Sequence, residues 1–410
     1  MSTNHKLRIA VECRVRDPRS GVGTAILALA HALSESTIQD QEYTFIVNDA
    51  TKDWLEPHIF GPCRLVGIGK PEDSILKSTF SAVAPLRALW RNLKVRFFPL
   101  QKSDGYVESE NFDLVHFATP VGYITSCPTI YQPWDLQHRH YPQFFSKTDY
   151  MARERSYRAF CNQAAAVCVQ TEWSRQDLIK QYGLPPEKVV VIPWGSVFDS
   201  YDAPSTEATQ ATITKFRLPS QFFFYPAVTW PHKNHETIIR ALHILKREQN
   251  RIPDVYFTGL STDFRAELDR LAKELGVFDQ LHYLGFVSSE ELQVIFRSAT
   301  AMVFASKFEG FGLPVFEAFH AGLPTILANA SVLPEVAQNG ALYFDPNAPI
   351  ELAALMNKML DDPQARRDLI EKGNAVLRRS SIKDTAINFQ VLYEHTAASS
   401  RNRDRMPVAV

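Results

Sequence analysis

Short apolar runs recur along the chain, each closed by a turn and followed by side chains at helical spacing. That alternation constrains the fold more than any other feature. Leu7-Arg8-Ile9-Ala10-Val11 leads through Ser20-Gly21-Val22-Gly23-Thr24 into residues 25–33 at helical spacing. Val167-Cys168-Val169 leads into residues 171–183, where Gly183 reads as a helix stop, and then into Val189-Val190-Val191-Ile192. Asp113-Leu114-Val115-His116-Phe117 and Thr129-Ile130-Tyr131 read as two further strands. The pattern begins again at Phe222-Phe223-Phe224-Tyr225-Pro226, with later runs at residues 254–259, 281–287 and 301–305. Strands separated by helices form parallel sheets that the helices cover, so the chain is α/β.

A chain of 410 residues exceeds one ordinary core. Two domains of about two hundred residues fit best. The expected division is 1–199, a linker at 200–216 rich in Ser, Thr and Pro, and 217–380, followed by a helix over 381–398 and a fraying tail at 399–410. A formal net charge of −1 gives no global pull towards nucleic acid. The five cysteines form no C-x-x-C pair, which suits reduced thiols and a cytoplasmic protein. The opening MSTNHKLRIAVEC lacks the apolar core of a signal peptide, and no segment reaches the roughly eighteen apolar residues of a spanning helix.

The chemistry concentrates in SKFEGFGLPVFEAFHAG, residues 306–322. Gly310 and Gly312 let a loop come close to a ligand, and Pro314 suits the first turn of a helix that Gly322 can end. The amides of Gly310, Phe311, Gly312 and Leu313 and the positive end of the helix would then face an anion, a phosphate above all. Glu309 on the loop, and Glu317 expected in the first helical turn, can accept hydrogen bonds from sugar hydroxyls. Either glutamate alone also fits an ordinary strand–loop–helix connection, in which a first-turn carboxylate merely complements the dipole. Residues 227–235 bring Lys233 to another helix start, where an ammonium can sit against a diphosphate. No D-x-D occurs, so helix amides take the place of an obligatory metal, and no cofactor is expected.

The two glutamates separated by seven residues, with FASKFEGFGLPVFEAFHAGLP around them and Ser331-Val332-Leu333-Pro334-Glu335-Val336 after them, resemble the donor-site signature of family-four glycosyltransferases. Trp230-Pro231-His232-Lys233-Asn234-His235 resembles a subgroup of bacterial surface-polysaccharide mannosyl- and rhamnosyltransferases. The resemblance implies a GT-B fold, two Rossmann-like doubly wound parallel-sheet domains facing a cleft. It implies a retaining transfer of a hexose from a nucleotide-diphosphate sugar to a glycan or polyprenyl-linked acceptor. It also implies that Lys233 and Glu317 hold the donor, that Glu309 acts on the reacting sugar, and that the 284–287 segment lies against the base. Gly21 and Gly23 would touch the acceptor or the donor phosphates, and the last helix would cross back to the first domain. Two positions depart from the pattern: Trp134 stands where the family often has a His, and Val228 where it has an Arg. Asp135, Gln137 and His138 remain the polar candidates on that loop, of which Asp135 and His138 are taken as catalytic.

Three alternatives stay open on residues alone. Residues 77–102 carry six Lys and Arg and no acid, which fits either an amphipathic helix on an anionic membrane at the cytoplasmic face or a solvated basic face. His138 and His140 have a metal-like spacing but no nearby carboxylate or cysteine cluster to complete a site, and His232-x-x-His235 is a second candidate metal pair. The chain can also be read as a partner subunit or sugar-nucleotide-binding protein without turnover.

Overall fold

In the computed structural model, described for residues 6–15, 17–69, 100–200 and 202–404, the chain divides into two compact units, Met1–Pro193 with Ile382–Val410, and Trp194–Ser381. Residues 77–99 of the basic segment lie outside the described residues. Among the described residues no helix is long and apolar enough to cross a membrane.

The first unit is built on Leu7–Glu12 (β1), whose Ile9, Ala10 and Val11 are wholly buried. A strand apolar on both faces needs covering on both, which a parallel sheet between helices supplies. Gln41–Asn48 (β2) pairs with β1 on one side, and Cys63–Ile68 (β3) lies beyond β2. On the other side come Leu114–Phe117 (β4), Thr129–Tyr131 (β5), Ala166–Val169 (β6) and Val189–Val191 (β7). All pairings are parallel, in the order β3-β2-β1-β4-β5-β6-β7. The winding reverses between β1 and β4, so the crevice outside their carboxyl ends is the topological switch point of this sheet.

The helix Ile382–Asp404 belongs to this first unit. Its Phe389 and Tyr393 are wholly buried, and the Tyr393 hydroxyl lies 2.9 Å from Nδ1 of His116 on β4. Gln41 Nε2 donates to the Gln390 carbonyl at 3.2 Å, tying the helix to β2. The helix runs six residues beyond the end expected at 398, because its last turns continue the same hydrogen-bonded spiral.

In the second unit, Phe222–Pro226 (β8), Asp254–Thr258 (β9), Leu281–Tyr283 (β10), Ala301–Phe304 (β11), Thr325–Ala328 (β12) and Ala341–Phe344 (β13) form a parallel sheet ordered β10-β9-β8-β11-β12-β13. Phe222, Phe223, Phe224 and Tyr225 are wholly buried at its centre. Here the switch point lies between β8 and β11.

The linker expected at 200–216 is corrected in part: Thr206–Phe216 is a helix. Ser205 caps it by accepting the Ala208 N–H at 3.0 Å, and Lys215 pairs with Glu291 at 2.6 Å. The Ser and Thr that resemble a linker are a cap and the solvated face of a helix that buries only Thr212.

Candidate functional site

The second unit gathers its polar residues at the carboxyl ends of β8, β11 and β12. Tyr225, on β8, is wholly buried, and its hydroxyl donates to the Lys233 carbonyl at 2.7 Å and meets Ser306 Oγ at 2.9 Å. Asn234 takes a left-handed conformation (φ 58°) just before the helix His235–Gln249. Its Nδ2 donates to the carbonyls of Ala305 at 3.1 Å and Pro346 at 2.8 Å. Asn tolerates that backbone better than most residues, and here the side chain stitches three loops together. The Lys307 N–H adds a bond to the His232 carbonyl at 2.8 Å.

These stitches bring Lys233 to Glu309. Nζ lies 2.5 Å from Oε1, with 19% and 13% of the two side chains exposed. The Glu309 N–H donates to Ser331 Oγ at 3.0 Å, which anchors the glutamate loop to the segment after β12. Two opposite charges, largely withdrawn from water, hold each other at a switch point.

The loop then runs through Gly310, Phe311, Gly312 and Leu313, all buried, into the helix Leu313–His320. Gly312 precedes it with φ 91°, a backbone that favours glycine, and a Cβ there would stand 3.0 Å from Leu333 Cδ2 and push that methyl aside. Pro314 lies in the first turn as expected. At the other end the Leu323 N–H bonds the Ala318 carbonyl and the Gly322 N–H bonds the Phe319 carbonyl, a Schellman stop with Gly322 at φ 67°.

Glu317 departs from expectation. The left-handed Gly312 delays the helix to Leu313, so Glu317 falls in the second turn rather than the first. It is buried, and burial alone pushes its carboxyl up to about 7. Glu309 and Glu317 are thus unlike in surroundings: one is held by a cation, the other is desolvated.

His235 is wholly buried between the rings of Tyr225 and Phe257, at 4.9 and 5.2 Å, and burial pushes it down to about 3. It therefore belongs to the core. Among the described residues no three His, Cys, Asp or Glu side chains form a group that could hold a metal ion.

The remaining candidates lie in the first unit. Gly21 and Gly23 occupy the first turn of the helix Gly21–Ser34, capped by Ser20 Oγ, which accepts the Gly23 N–H at 3.2 Å. A Cβ on Gly23 would stand 2.0 Å from the Pro18 carbonyl oxygen, whereas Gly21 has nothing within 4 Å. Tight packing thus accounts for Gly23, and open space lies at Gly21. Asp135 Oδ1 accepts the Gln137 N–H at 2.8 Å, forming a turn after β5.

His138 is corrected from a polar loop residue to an interior one. Its side chain has no exposed surface, and Nε2 lies 3.2 Å from Glu154 Oε2 and 3.3 Å from the Tyr182 hydroxyl. The rings of Tyr150 and Tyr157 flank it, and burial pushes it down to about 4. Trp134 is also buried, at φ 68°, with Nε1 donating to the Ala118 carbonyl at 3.0 Å.

Sequence reasoning passed over Tyr225, Ser306 and Asn234 as site residues. The signal was there for two of them: Tyr225 and Ser306 are polar groups at or just beyond the carboxyl end of an apolar strand, the edge where open α/β sheets place ligands, whereas Asn234 sits eight residues past β8 at a helix start.

Comparison with known proteins agrees with this geometry. Residues 19–196 match the sequence model described as Glycosyltransferase Family 4, and residues 208–376 match the one described as Glycosyl transferases group 1. The chain belongs to glycosyltransferase family four. Within this glycosyltransferase family, O-antigen chain mannosyltransferase B of Escherichia coli is 26% identical over 244 residues, 58% of this chain and 63% of its own length. The serotype-specific mannosyltransferase WbdA of Escherichia coli is 31% identical over 210 residues, 50% of this chain and 26% of its own length. The matches therefore span less than two thirds of either relative. Among solved structures, Anabaena HepE in complex with UDP and glucose has a TM-score of 0.69 at 18% identity, covering 95% of this chain and 100% of that one. Sucrose-phosphate synthase from Thermosynechococcus elongatus has a TM-score of 0.71 at 18% identity, covering 96% and 100%. Likeness at that identity is one of fold, and the two doubly wound parallel sheets are those of the GT-B glycosyltransferases.

Proposed function

We propose that this glycosyltransferase moves a hexose, mannose in the best-supported case, from a nucleotide-diphosphate sugar to a hydroxyl of a glycan or polyprenyl-linked acceptor, with retention and without a metal. The observation that carries the reading is the Lys233–Glu309 pair at the switch point of the second sheet, 2.5 Å apart. The anomeric carbon's bond to the diphosphate breaks as its bond to the acceptor oxygen forms on the same face, and the acceptor's proton leaves with the diphosphate. Lys233 and the amides of Gly310, Phe311, Gly312 and Leu313 would meet the charge that develops on the diphosphate. Glu309 would accept hydrogen bonds from the sugar, and Glu317 from the ribose. Asp135, Gly21 and Gly23 are proposed on the acceptor side. Mannose is favoured because the relatives are named mannosyltransferases, and metal independence because the chain has no D-x-D.

The test is incubation with labelled GDP-mannose, UDP-glucose and dTDP-rhamnose, a polyprenyl-diphosphate-linked glycan, and a chelator. Transfer from GDP-mannose that survives the chelator, with the anomeric configuration kept, is expected. Binding of a sugar nucleotide without transfer to any acceptor would favour the non-catalytic subunit instead, a reading for which the buried Trp134 speaks because it offers no titratable group.

A further inference from the structure

The helix Ile382–Asp404 is apolar on two sides. Ala386, Phe389, Tyr393 and Ala397 are buried on its inner side. On the outer side Ile387 is 53% exposed and Val391 60% exposed, and the exposed Ala398 continues their line. The outer side of a helix on a domain surface ordinarily carries polar and charged residues. Ile and Val, branched at Cβ, are also weaker helix formers than the Lys, Glu or Leu that could stand there. Neither the packing of the first unit nor helix propensity therefore gives a reason for the pair.

The charges around the stripe do. Lys383 and Glu394, both exposed, are eleven residues apart, about three turns, so they lie on one flank of the stripe at opposite ends. Asp384 and His395, also exposed and eleven residues apart, lie on the other flank. The midpoint of Ile387 and Val391 is residue 389, and the midpoints of both polar pairs fall within a residue of it. A two-fold axis at that point, perpendicular to the helix, sets each flank against its own copy run in reverse. Lys383 then meets Glu394 of the second copy, Asp384 meets His395, and Ile387 packs on Val391, each contact occurring twice.

We infer that the outer face of this helix docks on the same face of a second copy of the chain, antiparallel and about a two-fold axis beside residue 389. Within one copy Lys383 Nζ lies 3.4 Å from Glu35, with 73% of the lysine side chain exposed, and Glu394 accepts the Gln41 amide at 2.8 Å. A surface pair such as Lys383 with Glu35 contributes little, so the lysine is free to turn to Glu394 of the second copy. Past Glu35 the face continues over His31, at 3.7 Å from it, to Phe60, whose ring meets the His31 ring at 5.6 Å and is 44% exposed. Helices that lie on anionic lipid are rich in Lys and Arg; this one sets two carboxylates against a single lysine around its stripe, which suits its own copy and not a membrane. The dimer requires nothing of the transfer reaction.

A stripe of this length stands at the small end of specific interfaces, so a Kd on the order of tens of micromolar is expected. Sedimentation velocity on the full chain over about 1–200 µM brackets that value. The wild type should pass from monomer to dimer and no further, because a two-fold contact closes on itself. Lys383→Glu alone, or Glu394→Lys alone, sets like charges together at both ends of the contact and should weaken association about tenfold or more. An equimolar mixture of these two variants restores an opposite pair at each end and should dimerise as the wild type does. Val391→Asp should stay monomeric, and the melting temperature of each variant shows that it has folded. If Lys383→Glu does not fold beside Glu35, Val391→Asp decides. A wild type that is monomeric throughout, an assembly that grows beyond the dimer, an undiminished dimer in folded Val391→Asp, or a mixture that fails to recover overturns the inference. Flotation with phosphatidylglycerol-containing vesicles runs alongside: binding by a monomeric wild type that Val391→Asp abolishes assigns the face to lipid and overturns it as well.

Discussion

Replacing Lys233 and Glu309 singly and together puts a number on the site. Nζ and Oε1 stand 2.5 Å apart with 19% and 13% of the side chains exposed. At an effective dielectric of about 20 the direct attraction is roughly 7 kcal/mol. Desolvation removes most of that, leaving a net contribution of about 2 kcal/mol, between an exposed pair and a buried one. A diphosphate bound by Lys233 gains a charged hydrogen bond of about 1.5–3 kcal/mol. Because the lysine must give up part of its bond to Glu309, the loss on Lys233→Ala should be only about tenfold in Kd. In Glu309→Gln the lysine has no charged competitor. That variant should bind nucleoside diphosphate as well as the wild type or up to about tenfold better, and Lys233→Ala made in it should cost about a hundredfold. Glu309→Gln should nevertheless slow transfer strongly. Calorimetric titration of the four proteins with the preferred nucleoside diphosphate reads the coupling directly. If Lys233→Ala leaves Kd within about twofold, or if Glu309→Gln weakens binding as much as Lys233→Ala does, the partner-exchange reasoning is wrong.

Three further outcomes follow from the same geometry. Burial raises the Glu317 carboxyl from 4.5 to about 7, so the folded chain holds its proton more tightly than the unfolded chain. Stability should fall as pH rises through that window and level off above it. Glu317→Gln removes the dependence, and its advantage over wild type should grow by about 3 kcal/mol from about pH 4.5 to about pH 8; a difference in denaturant midpoint constant with pH would count against this. Gly23→Ala must displace the Pro18 carbonyl and should lower the melting temperature clearly, whereas Gly21→Ala, with open space around it, should leave it nearly unchanged; equal shifts would refute the packing account. Tyr225→Phe leaves the Lys233 carbonyl and the Ser306 hydroxyl short of a partner, at about 1–3 kcal/mol in stability, and kcat/KM should fall because the Lys233 loop loses its brace. Unaltered kinetics in a folded variant would mean that the other stitches suffice.

The strands that the sequence made legible are the central ones. β8 and β11 are buried on both faces, so they read as apolar runs, and β1 reads as one through Ile9, Ala10 and Val11 despite Arg8 and Glu12. β2 and β3 escaped notice because they alternate or lie half exposed at the sheet's edge, and β12 because its four residues follow Gly322-Leu323-Pro324 without a turn of their own. His138 misled for a related reason. Gln, His and Arg in succession resemble a loop, and what buries the imidazole comes from Glu154 and Tyr182, far along the chain. Local pattern carries no information about such partners.

The glutamate loop shows where that limit matters most for chemistry. Spacing assigned Glu309 and Glu317 to one loop and helix and treated Lys233 as a separate phosphate contact. The fold joins Lys233 to Glu309 across 76 residues through the Tyr225 and Asn234 stitches and leaves Glu317 desolvated. Two carboxylates that look equivalent in sequence thus differ in what a substrate must do to engage them. In the proposed reaction Glu309 would be reached by exchanging a cation between two anions, a change in electrostatics that an incoming diphosphate would itself drive. Glu317 would be reached by supplying hydrogen bonds to a desolvated carboxyl, which would reward a ligand that brings hydroxyls. A molecule with a diphosphate at one end and hydroxyls on either side of it answers both demands at once, and a simple phosphate answers only the first.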